Sequence, residues 1–154
     1  MSIVTKKQEN TLLVILGSGP LKKILEKKVK DLALTKCVFL LGPKSHKEIP
    51  IWMNASDIFV LPSLNEGFPT VIPEAMACGK PVIGTKVGGI PEALSNPDVG
   101  VLVNPRDPEA LADIILNSLR KKWQAEIITN HAKQYSSDIL VQRILGVYQT
   151  LTFT

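Results

Sequence analysis

The chain of 154 residues reads as an α/β domain, a doubly wound parallel sheet of about five strands with helices on both faces. Three observations predict this. Short apolar runs rich in Val, Ile and Leu recur along the chain, continuous rather than alternating, as in strands covered on both faces. Between them lie stretches with the three-to-four-residue apolar spacing of helices. Most runs end on Gly, Pro, Asn or Ser, so strand and helix alternate through turns, the pattern of βαβ units.

In chain order, residues 1–10 are polar and are expected to be frayed, so the domain is placed at 11–154. Thr11 to Leu16 is the first predicted strand, broken by Gly17-Ser18-Gly19-Pro20 and followed by a helix to about Leu34. In that helix Lys22, Lys23, Lys27, Lys28 and Lys30 alternate with Leu21, Ile24, Leu25, Val29 and Leu32, which gives an amphipathic helix with a solvated basic face. Cys37 to Leu41 is the second strand, closed by Gly42-Pro43. Ser45 to Ala55 is a short helix, with Ser45 as N-cap and Glu48 completing a capping box. Asp57 to Leu61 and Pro81 to Gly84 are the third and fourth strands. Between them a helix runs from Thr70, its N-cap, through Pro73 to a stop at Gly79. Pro91 opens one or two turns at Ile90–Leu94, and Val99 to Val103 is the fifth strand. Asp107 caps a helix that begins at Pro108 and reaches about Lys121. Helical patterns at about 123–135 and 138–151 complete the chain. The simplest strand order is 2-1-3-4-5, which places the ligand crevice between the first and third strands, beyond their carboxyl ends.

Composition narrows the function. The apolar fraction of 45% and charged fraction of 21% are those of an ordinary globular domain. A net charge of +4 is a weak basic bias, and no aromatic residues interleave with it, so nucleic acid is not an expected partner. Cys37 and Cys78 stand in apolar contexts and suit buried thiols in a reducing compartment. No apolar run is long enough to cross a bilayer and the first residues do not form a signal peptide. The expected location is the cytoplasm, with the membrane periphery as the alternative. His46 and His131 have no Cys, Asp or second His at metal-ligand spacing, and His131 is expected to lie away from the site.

The chemistry concentrates in Pro62–Glu92, PSLNEGFPTVIPEAMACGKPVIGTKVGGIPE. Glu66 stands in the loop after the third strand, and Glu74 in the first turns of the helix that follows. Helical side chains lean toward the helix N-terminus, so Glu74 is directed back toward the space that Glu66 borders. A helix start also offers N–H groups and a positive dipole end to an anion. Carboxylates that accept from hydroxyls, beside a place for phosphate, suit a nucleotide sugar.

Those residues carry a resemblance. Glu66 and Glu74, with seven residues between them within EGFPTVIPEAMACGKPVIGTKVGGIPE, resemble the donor-binding signature of the retaining, GT-B-fold glycosyltransferases of family 4, also called group 1. The likeness spans roughly residues 11–150. It implies that the chain is the Rossmann-like, nucleotide-sugar-binding half of a GT-B fold. It implies further that Glu74 binds the ribose hydroxyls and that Glu66 binds the donor sugar at the catalytic position. Gly67, Phe68, Pro69 and Thr70 then follow the sugar and diphosphate, largely through backbone N–H groups. Gly42, Pro43 and Lys44 receive the base, and Gly17 and Gly19 lie near phosphate. Pro69 departs from the commoner Gly and removes a donor. Gly17-Ser18-Gly19 has Lys22 where a dinucleotide fingerprint needs Gly, so a tight turn is the other reading of that loop. No cofactor and no metal is expected, and the donor is a nucleoside diphosphate sugar.

The family's donor half also begins with a strand–helix unit bearing a GR…KG motif, and an acceptor domain completes the cleft. Neither is present in these residues. The chain is therefore expected to be most of a donor half that needs an N-terminal acceptor domain or a partner chain, and to be inactive alone. A non-catalytic subunit of a split transferase and a nucleotide-sugar epimerase are the alternatives. The last helix, with Ile139, Leu140, Ile144 and Leu145 at helical spacing, is expected to pair with another copy or chain.

Overall fold

A computed structural model describes residues 1–151. It contains the five expected parallel strands, β1 (Leu13–Leu16), β2 (Val38–Gly42), β3 (Phe59–Leu61), β4 (Val82–Thr85) and β5 (Gly100–Val103). They form two sheets, β1-β2 and β3-β4-β5. The order within each agrees with 2-1-3-4-5, but β1 does not pair with β3, so the single five-stranded sheet is corrected to a broken one. The break has a local cause: β3 is only three residues long, and a bulge shifts the β1–β2 register between Ile15 and Leu16.

The helices are α1 (Ser2–Lys7), α2 (Lys22–Asp31), α3 (Ile49–Ala55), α4 (Val71–Ala77), α5 (Ile90–Ala93), α6 (Pro108–Arg120), α7 (Ala125–Ala132) and α8 (Ser137–Leu151), with a 3-10 turn at Lys133–Tyr135. The residues expected to be frayed are corrected by α1. Val4 is fully buried with Ala112 and Leu116 of α6, and Lys7 Nζ lies 2.8 Å from Asp113 Oδ1. One buried Val in a polar decapeptide was too small a signal for a helix. The α6 cap is as expected, with the Ala110 N–H donating to Asp107 Oδ1 (2.9 Å). At Ser45 half of the capping box forms. The backbone N–H and the hydroxyl of Ser45 both donate to Glu48 Oε2, at 3.0 and 2.8 Å, although the helix starts only at Ile49.

The main core lies between β3-β4-β5 and the helices α4, α5 and α7. Ile72 and Met76 of α4 and Ile90 of α5 are fully buried there with Val82, Val99 and Ile128. α4 stops in a Schellman turn: Gly79, at φ 71°, donates to Met76 O (2.8 Å) and Lys80 to Ala75 O (3.0 Å). The other sheet is thinly covered. No residue of α2 is buried, and Ile24 is 61% exposed, so the expected burial of its apolar stripe is corrected. Among the described residues no helix is long and apolar enough to cross a membrane.

Candidate functional site

Parallel strands put all their carboxyl ends on one edge of a sheet, so each sheet gathers its following loops together. At the end of β1-β2 the Gly17 N–H donates to Gly42 O (2.8 Å), which brings together the two glycine loops expected to take phosphate and base. Beside them a depression of about 290 Å³ is lined by Gly17, Ser18, Gly19, Ile15, Leu25 and Leu40. It includes neither Glu66 nor Glu74. Pro43 is exposed. Lys44 is occupied locally, 3.7 Å from Glu48 Oε1 and 5.9 Å from the centre of the Trp52 ring.

At the end of β3-β4 the Glu66 loop is fastened from several sides. The Ser63 hydroxyl donates to Glu66 Oε1 at 2.6 Å and fixes the direction of the carboxylate. The Thr85 hydroxyl, buried at the end of β4, donates to Ser63 O at 2.6 Å. From the loop after β4, the Gly89 N–H donates to Gly67 O at 2.6 Å. Gly88, at φ 51°, approaches so closely that a Cβ there would overlap the Glu66 carbonyl oxygen. A Cβ on Gly89 would stand 2.8 Å from Gly67 O. The VGG segment is thus a backbone clamp on the loop carrying Glu66.

Pro69 is buried and its carbonyl accepts from the Ile72 N–H (3.1 Å), so it shapes the entry to α4. Thr70 occupies the N-cap position without a side-chain cap bond. Glu74 stands in the first turn of α4 and is half-buried. Among the described residues its carboxylate makes no hydrogen bond or salt bridge, so its oxygens remain acceptors for a ligand. Cys78, one turn on, has its thiol pushed up, first by burial, with the Glu74 charge adding to the effect and Lys80 opposing it. Both cysteines are free thiols. No three His, Cys, Asp or Glu side chains cluster as a metal site among the described residues.

Three participants escaped the sequence reading. Ser63 could have been found from its spacing, since Ser63-x-x-Glu66 has the form of a capping box. Thr85 gave no signal, because its partner is a backbone carbonyl far away in sequence. Tyr135 packs its ring on Phe68, with centroids 5.4 Å apart, and His131 meets the edge of Tyr135 at 6.1 Å. His131 is therefore one ring removed from the Glu66 loop, a correction to its expected distance from the site.

Glu66 on its loop and Glu74 on its helix thus stand beyond the carboxyl edge of a parallel sheet. The profile of the family described as "Glycosyl transferases group 1" matches residues 1–135, and the chain belongs to that family. It is 34% identical over 140 residues to a D-inositol 3-phosphate glycosyltransferase of Corynebacterium urealyticum, covering 88% of this chain and 33% of the relative. Among solved structures it is similar to a sucrose-phosphate synthase of Thermosynechococcus elongatus, with a TM-score of 0.83 and 25% identity over 98% of this chain and 41% of the other. It is also similar to Anabaena HepE, crystallised in complex with UDP-glucose, with a TM-score of 0.76 and 28% identity over 99% of this chain and 44% of the other. The chain thus spans between a third and a half of the length of these proteins.

Proposed function

We propose that this chain is the donor-binding half of a retaining glycosyltransferase that moves a sugar from a nucleoside diphosphate sugar to an acceptor hydroxyl. The observation that carries the reading is the clamped loop. It holds Glu66, oriented by Ser63, just ahead of a helix whose first turn presents the unengaged carboxylate of Glu74. A fixed carboxylate loses little freedom when it accepts from a sugar hydroxyl, which is what positioning requires. Glu74 accepts from the ribose hydroxyls and Glu66 from the sugar. Gly67 and Phe68 follow the sugar, and Pro69 and Thr70 continue toward the diphosphate. Gly17, Gly19, Gly42, Pro43 and Lys44 form the far wall toward phosphate and base. HepE, with its bound UDP-glucose, supports a nucleotide sugar as the ligand class.

In the reaction the bond between the sugar's anomeric carbon and the diphosphate oxygen breaks, and the diphosphate leaves with the electron pair. A bond forms from the acceptor oxygen on the same face, and the acceptor hydroxyl gives its proton to the departing diphosphate oxygen. The acceptor side of the cleft comes from further polypeptide, in the same protein or a partner, so this chain by itself binds donor without turning it over. The apolar face of α8 joins a second copy. A reducing compartment, the cytoplasm, suits the two free thiols.

The test is a calorimetric titration of the chain with UDP, GDP and ADP and with their sugar conjugates. Saturable binding by one base, weakened about tenfold or more in Glu74→Ala, is expected. Binding that Glu74→Ala leaves unchanged overturns the assignment of the ribose site, and no binding by any of them overturns the donor-half reading of this chain.

A further inference from the structure

We infer that Tyr135 is a positioning residue for the donor site: its ring buttresses Phe68 and so sets where the Glu66 loop sits. The inference rests on the reading of that loop as the sugar site.

Ser63 within the loop, Thr85 at the end of β4, and Gly88 and Gly89 after it hold the loop by hydrogen bonds and close backbone contact. From the C-terminal segment Tyr135 packs on Phe68, with rings 5.4 Å apart and tilted by 44°. Such tilted aromatic pairs are attractive beyond the area they bury. Phe68 directly follows Gly67, whose carbonyl is held by Gly89, and Gly89 also lies close to the Phe68 ring, so Tyr135 supports a ring that the clamp already approaches.

Tyr135 is itself well supported. It packs against the main core, and His131 meets it edge-on at 65°. His131 Nε2 lies 3.2 Å from Ala93 O at the end of α5, and Gln134 Nε2 donates to His131 O (3.0 Å). The charges of Glu92 on α5 and Arg143 on α8 act on the Tyr135 phenol. Burial, then Glu92, push the phenol up and Arg143 opposes them, so the ring presents a neutral phenol across the physiological range. The segment 131–135 therefore links α5, which follows the VGG clamp, to Phe68 in the loop that the clamp holds. One tyrosine joins the two ends of the Pro62–Glu92 stretch and connects them to the start of α8.

The test compares Tyr135→Ala, Tyr135→Leu, which keeps apolar bulk without a ring, and Tyr135→Phe, which keeps the ring. Two measurements separate positioning from general support. The first is amide hydrogen exchange at residues 66–70 in the ligand-free chain, expected to rise roughly three- to tenfold in the Leu variant and to stay at the wild-type rate in Phe. The second is the ratio of affinities for a nucleotide sugar and its bare nucleotide, with UDP-glucose against UDP, GDP-mannose against GDP and ADP-glucose against ADP as probes. That ratio is expected to fall in Ala and Leu toward the value of Glu66→Ala, with nucleotide affinity held. Equal weakening of both ligands, or exchange at 66–70 that Leu leaves unchanged, overturns the role of Tyr135. If the wild-type chain binds no probe, the sugar-site reading fails, and the exchange measurement still decides whether Tyr135 holds the loop.

Discussion

The two sheets are built from the same kind of sequence and end in different states. β3-β4-β5 is covered by α4, α5 and α7: every residue of β4 is buried, and those of β3 and β5 are buried or part-buried, none of them exposed. β1-β2 has α2 beside Ile15 and Leu40 on one face. On the other, Val14 pairs with Phe39, and these two, with Leu12 and Leu41, are exposed, Leu12 by 67%. A parallel sheet normally has helices on both faces. An apolar run in sequence thus states a demand for cover, and whether the demand is met depends on what else packs there. The clamped loop is on the well-covered sheet, and the open glycine loops are on the bare one.

The largest expected effect comes from closing space on the covered side. Gly88→Ala puts a Cβ into the Glu66 carbonyl oxygen at a positive φ. It should destabilise the chain by more than about 3 kcal/mol in urea unfolding, or displace the loop and abolish donor binding. Gly19→Ala, where a Cβ meets open space, should shift stability by no more than about 0.5 kcal/mol. Similar losses at the two glycines would erase the contrast between the sheets.

An effect on assembly comes next. α8 has no buried residue, and Ile139, Leu140, Val141, Ile144 and Leu145 are all exposed. Two such helices pairing symmetrically, each with the residues around it, would approach the roughly 800 Å² per partner of a specific interface. Sedimentation should show a concentration-dependent dimer, converted to monomer by Ile144→Asp with its unfolding midpoint at low concentration unchanged. A wild-type chain that stays monomeric at high concentration removes the pairing.

What the sequence revealed follows the same division. The five strands, the Asp107 cap, the Gly79 stop and the loop–helix placement of Glu66 and Glu74 depend on contacts within a few residues, and these were legible. The clamp, the break between β1 and β3 and the Phe68–Tyr135 contact depend on partners from 21 to 67 positions away, where spacing carries no information. α1 was missed for that reason too, since Val4 is buried by α6 rather than by its own neighbours.

The smallest effect tests whether local geometry is energetically silent on the bare side. Glu48 is half-exposed, and its carboxyl is held below the ordinary carboxylate range, first by the Ser45 backbone N–H, then by the Ser45 hydroxyl, with Lys44 assisting. A depressed folded-state value means that the charged form is favoured by folding. The stabilisation is therefore complete at neutral pH and is lost as pH falls through the carboxylate range. Glu48→Gln should unfold at slightly lower urea than wild type at pH 7, and the two midpoints should converge near pH 3. A gap that persists at low pH would assign the difference to packing against Lys44 and Trp52, since protonation removes the charge-assisted bonds in wild type and leaves those contacts in place.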